Sequence, residues 1–224
     1  MDNLNCLEWI TRESELFAAA LDHTDLDARV PGCPEWALRD LALHLSRVQR
    51  FWAGVVRAGV DVEPQFPGND NQVTDPELAA SMRGSSRELL DALRTASPGA
   101  PAWVWWRENR TVGAIARHQV QEAAVHRWDA QSAIGTPDPL AAEVADDGVD
   151  EFLWIARQMR GPAPIMLVAT DSGRSFPASD DPPRVTVSAP ASDLVLLLYG
   201  RISADRVQVD GDRATLDEAL MPIG

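Results

Sequence analysis

Gln121-Glu122-Ala123-Ala124-Val125-His126-Arg127-Trp128-Asp129 is the stretch on which the fold turns. It contains neither Gly nor Pro and lies inside a longer run, from about Thr111 to Ala133, that stops just before Gly135, a residue type that closes helices in the left-handed conformation. At about 100° per residue, Glu122 and His126 lie about 40° apart, with Asp129 close to Glu122 in azimuth and His118 about 40° to its other side. A carboxylate and an imidazole thus share one helix face a single turn apart. A His from a second helix would complete three protein ligands for a metal and leave one coordination position open.

The second helix is predicted from about Trp36 to Arg57, where Leu38, Leu41, Leu45, Val48, Trp52 and Val55 recur with the rhythm of a buried face. His44 falls inside this stripe, so its imidazole is expected to face the core, where its nitrogens need partners. Two readings stay open on spacing alone. In one, His44, Glu122 and His126 hold a cation; in the other, His44 hydrogen-bonds Glu122 across the bundle in a metal-free polar core, with His126 beside it. His118 is read as a surface residue or a neighbour of the site, with ligation of the metal as the less favoured alternative, Asp129 as a carboxylate that orients a ligand imidazole through its other nitrogen, and His23, between Asp22 and Asp25, as a surface residue.

A first helix runs from about Leu4 to Leu21, with Leu4, Leu7, Ile10, Leu16 and Ala20 at helical spacing. A third opens at Asp75-Pro76-Glu77, with Asp75 as its cap, and continues to about Ala96. A Pro/Gly/Asn-rich loop spans Val60 to Thr74, and Trp103, Trp105 and Trp106 precede the fourth helix, as packing or as a pocket wall. Four such helices make a bundle, residues 1–136. Thr136-Pro137-Asp138-Pro139 then reads as a linker, and residues 137–224 as a small α+β domain. That domain has a helix over Ala141–Arg160, β-rich segments at Ile165–Thr170, Arg184–Ser188 and Arg206–Asp210, and short helices at Asp193–Tyr199 and Ala214–Leu220.

The chain has 224 residues, a net charge of -14 and no lysine, all 20 of its basic residues being arginine. Nucleic acid and anionic membranes need a cationic face, so small molecules are the expected partners. With two cysteines, no apparent leader and no spanning segment, the expectation is a cytoplasmic protein with reduced thiols. Cys33, in the Pro31-Gly32-Cys33-Pro34 turn, is expected to serve as a small buried hydrophobe.

Val30-Pro31-Gly32-Cys33-Pro34-Glu35-Trp36, the following Arg39-Asp40-Leu41 and His44-Leu45, and the run Glu122 to Ala130 closely resemble the mycothiol-dependent maleylpyruvate isomerase family, a branch of the DinB-like metal-binding bundles. Val185–Ser188, Asp193-Leu194 through Arg201, and Val207 to Asp212 resemble the family's C-terminal domain, which is similar to sterol-carrier folds. The resemblance implies an α+β protein: a DinB-like four-helix bundle holding a divalent metal, most simply zinc, through His44, Glu122 and His126, followed by the small domain. It implies mycothiol as the thiol, held as thiolate for cis-trans isomerisation of an electrophilic substrate or for S-transfer. Gln121 stands where the family pattern has His immediately before the Glu, and Ala114 and Ile115 stand where it has bulky aromatics.

Within that reading Arg201 is the candidate clamp for a substrate carboxylate; the alternative is a helix-terminal Arg paired with a neighbouring acid. Two other functions remain: a metal-dependent hydrolase with Asp129 or His118 as base, and a non-catalytic lipid or small-molecule binder built on the second domain.

Overall fold

The computed structural model describes residues 1–22, 25–60, 64–66 and 73–220, with the side chains of Asn3 and Leu4 outside that description. The expectations for Leu4 and His23, and most of the loop before Thr74, fall outside it. The chain divides into two units, Met1–Asp138 and Pro139–Gly224.

The first unit comprises α1 (Asn3–Leu21), α2 (Leu38–Ala58), α3 (Leu78–Thr95) and α4 (Val112–Ala133). Helices α1 and α4 pack against each other, as do α2 and α3, and the pairs close through α1 on α3 and α2 on α4. The stripe expected on α2 is real: Leu38, Leu41 and Leu45 are fully buried and join Phe17, Val30, Met82 and Ala130 in one apolar cluster. Removing a large side chain from such a cluster costs about 2–5 kcal/mol.

Helix α2 begins two residues later than the periodicity suggests. Asp40 Oδ2 accepts the Ala37 backbone N–H at 2.9 Å, and Val30 N–H donates to the Trp36 carbonyl at 3.1 Å, so Trp36 is held in the preceding turn. Thr74 rather than Asp75 opens the third helical segment: its N–H and hydroxyl both donate to Glu77 Oε2, at 3.0 and 2.7 Å, ahead of a short 3-10 turn. Asp75 is drawn off to Arg39.

Helix α4 is buried on nearly every side. Thr111 Oγ1 accepts the Ala114 N–H at 3.2 Å to start it. At its end Gly135 (φ +78°) donates to the Ser132 carbonyl at 3.2 Å and Thr136 to the Gln131 carbonyl at 2.9 Å, a Schellman closure that requires the left-handed residue. A buried ion pair, Arg127 Nε to Glu13 Oε2 at 2.8 Å, ties α4 to α1. Arg127 Nη1 also donates to Gln131 Oε1 and the Asp138 carbonyl, at 2.7 and 2.6 Å. Neither Arg127 nor Glu13 declares its partner through local spacing, so the pair goes unseen in the sequence.

The second unit holds α5 (Ala142–Arg160), β1 (Ile165–Ala169), β2 (Ser175–Pro177), β3 (Val185–Ala189), α6 (Ala191–Leu198), β4 (Gln208–Gly211) and α7 (Arg213–Ala219). The strand order is β2-β1-β3-β4, with β1 parallel to β3 and both edges antiparallel. Strands β1 and β3 alternate buried and half-buried residues, the signature of one face on a core. That face receives α6 and α7, while α5 packs on α6. Arg206 lies in a 3-10 turn rather than in the last strand, which begins at Gln208. Gly211 (φ +116°) closes this strand where a Cβ would meet the Arg184 carbonyl at 2.3 Å, so only Gly fits.

Candidate functional site

Helices α2 and α4 bring His44, Glu122 and His126 together: one ligand atom from each lies within 4.8 Å of the others. His126 Nε2 is 3.4 Å from Glu122 Oε2, and His118 Nε2 is 3.6 Å from Glu122 Oε1, so the carboxylate sits between two imidazoles of its own helix. The other nitrogen of His126, Nδ1, is 3.0 Å from Oδ2 of the fully buried Asp129. Asp129 therefore fixes the ring orientation and aims Nε2 at Glu122. His44 lies 4.8 Å from Trp36, ring centre to ring centre, and edge-on to His126 at 5.2 Å. The Trp36 turn that delays the start of α2 thus supports His44.

Electrostatics follow from this packing. Burial pushes the Glu122 carboxyl up, but the hydrogen bond and charge of His126, with His118 and His44 nearby, prevail and hold it down at about 2. Burial likewise works against a charged His126, yet the hydrogen bonds and charges of Asp129 and Glu122 outweigh it and raise its pKa to about 9. At neutral pH, in the metal-free chain, His126 is an imidazolium between two carboxylates.

His118 shares the face, as its spacing suggests, and is buried among tryptophans, with ring centres 6.1 Å from Trp52, 5.8 Å from Trp105 and 5.3 Å from Trp106. Of these Trp106 is buried and Trp105 is 41% exposed, so the aromatic run both packs and reaches the surface. Gln121, Ala114 and Ile115 are buried as well, which puts the departures from the family pattern inside the bundle. Cys33 is half-buried against the apolar cluster. Arg201 belongs to the second unit, where its Nη1 donates to the Tyr199 carbonyl at 2.8 Å. Trp36 as the neighbour of His44 was not anticipated from the sequence, although an aromatic residue eight positions ahead of a core His was there to be noticed.

Residues 7–131 match the mycothiol maleylpyruvate isomerase N-terminal domain, and residues 115–218 match the MDMPI C-terminal domain. Among solved structures, mycothiol-dependent maleylpyruvate isomerase superposes with a TM-score of 0.76 at 15% identity, and a mutant of it with 0.75 at 13%. In both cases 95% of this chain and 95% of the other are covered. At such identities the structural likeness speaks for the fold, α+β as a whole. No curated protein matches the chain. The first domain match covers more than half of the chain, over the helices that bring His44, Glu122 and His126 together, and the second covers most of the remainder, so the chain belongs to the mycothiol maleylpyruvate isomerase family.

Proposed function

We propose that the chain is a metal-dependent, mycothiol-dependent enzyme that binds zinc through His44, Glu122 and His126 and acts on an electrophilic small molecule by cis-trans isomerisation or S-transfer. The convergence of these three side chains from two helices is the observation that carries the reading. The donors fit the ion. Two imidazoles and a carboxylate are common zinc ligands, and the 3.4 Å between His126 Nε2 and Glu122 Oε2 matches the edge of a tetrahedron of about 2.1 Å radius.

When bound, a divalent metal lowers the pKa of an incoming thiol so that its sulfur is nucleophilic at neutral pH. The protein's own groups supply the rest. Asp129 takes the Nδ1–H of His126 and keeps Nε2 aimed inward; Glu122 contributes the negative charge; Trp36 backs His44; His118 borders the carboxylate on the side of the tryptophans. Arg201 is proposed to hold a substrate carboxylate, as guanidinium forks do.

The net charge of -14 agrees with a small-molecule ligand rather than a polyanion. The test is metal analysis by mass spectrometry of the purified protein, of His44→Ala and of Glu122→Ala with His126→Ala. One metal per chain in the parent and none in the folded variants is expected. Full occupancy in both variants refutes the metal site, and calorimetry in which the metal-loaded protein takes up no mycothiol refutes the thiol in favour of hydrolysis.

A further inference from the structure

The second unit contains a cavity of about 200 Å³ between the end of α5, the start of β1, the end of α6 and α7. Every residue that lines it lies between Phe152 and Ala219, so it shares none with the cluster of His44, Glu122 and His126. The floor is apolar: Phe152, Leu153, Ile165 and Leu198 are all buried. Thr215, also in the lining, spends its hydroxyl on Asp212 Oδ2 at 2.7 Å.

The rim is charged. Arg157, Arg160 and Glu218 line it and are exposed, two cations against one acid in a chain whose net charge is -14. Arg160 has a structural task, since its Nη2 donates to the Ala219 carbonyl at 3.1 Å and ties α5 to α7. Arg157 differs. Its guanidinium makes no hydrogen bond or ion pair among the described residues, whereas Arg174, Arg184 and Arg213 of the same unit each hold an aspartate, at 3.1, 2.7 and 2.6 Å. The last turn of a helix favours a cation, which accounts for the charge of Arg157 and not for an apolar hollow beside it.

We infer that this cavity binds a small monocarboxylate with a compact apolar body, a phenyl ring or a branched alkyl group, seated on Phe152, Leu153, Ile165 and Leu198 with its carboxylate on Arg157. Small-molecule sites are mostly apolar, with a few polar groups that fix orientation, and a guanidinium fork matches a carboxylate. Size sets the class. An apolar cavity of about 150 Å³ takes up benzene, so one of about 200 Å³ admits a single ring and excludes a sterol or a long acyl chain. The site is separate from the thiol-dependent reading above and does not depend on it.

Titration of zinc-loaded, nitrogen-15-labelled protein with sodium benzoate, followed by NMR, tests the site. Saturable shifts of the Gly161 and Ile165 amides are expected, with the amides around His44 and Glu122 unmoved. Arg157→Gln, a surface change, is expected to weaken benzoate about tenfold or more and to leave benzyl alcohol, the same ring without the charge, unaffected. Ala156→Phe, which sets a ring into the cavity, is expected to abolish uptake of both. Absence of saturable shifts in the parent overturns the inference, as do shifts confined to α2 and α4. So does an Arg157→Gln affinity for benzoate equal to the parent's, or an equal loss for both probes, and so does full uptake by Ala156→Phe. Arg157→Gln decides the matter even where Ala156→Phe does not fold.

Discussion

Metal-stripped protein should lose stability on the alkaline side chiefly through His126. In the folded chain this imidazole titrates at about 9, against 6.5 for a free side chain. Because the folded pKa is raised, the folded state holds the proton more tightly than the unfolded one. The stabilisation is therefore complete below pH 6.5 and disappears as pH rises through 9. A rise from 6.5 to about 9 corresponds to about 3 kcal/mol.

The sequence makes this window clean. The chain has no lysine, one tyrosine and two cysteines, so few other groups titrate between pH 7 and 10. Urea unfolding of chelator-treated protein at pH 6.5, 8 and 9.5 should show a fall of that order, and His126→Gln should flatten it. The depressed Glu122 acts on the opposite side: its contribution is present above pH 4.5 and fades as pH falls through about 2. Parent and His126→Gln curves running parallel from pH 6.5 to 9.5, or a His126 NMR titration with its midpoint near 6.5, would refute the electrostatics drawn from this packing.

Asp129→Asn removes the carboxylate 3.0 Å from His126 Nδ1 and should weaken zinc binding by about 10–100-fold in competition with a chromophoric chelator; equal affinity would show that the ring is oriented by other contacts. Arg201→Ala should leave metal content and mycothiol affinity intact while raising KM for an anionic substrate by about tenfold or more, and an unchanged KM would remove Arg201 from the substrate site.

Helices α2 and α4 could be read from sequence because each declares itself locally, α2 by its apolar stripe and α4 by Thr111 at one end and Gly135 at the other. The shared face of His118, Glu122 and His126 was legible for the same reason, since residues one turn apart meet whatever surrounds them. Contacts made across the fold were not. Thr74 and Asp75 are both competent caps, and the choice falls to Thr74 because Asp75 is engaged by Arg39, 36 residues away in sequence. The tryptophans around His118 and the Trp36 ring on His44 depend on helix packing that no local pattern encodes. The three-residue β2 is too short to display an alternation.

The pairing of Arg127 with Glu13 has a consequence for the helix that carries Glu122 and His126. Arg127 follows His126 directly in the chain and is 2% exposed, so its positive charge is locked in the interior, on another side of the helix from Glu122. An acid from the first helix cancels that charge at 2.8 Å. Position 13, far from Arg127 in the chain, thereby sets the balance of charge on that helix: a neutral side chain there would strand a cation in the protein interior.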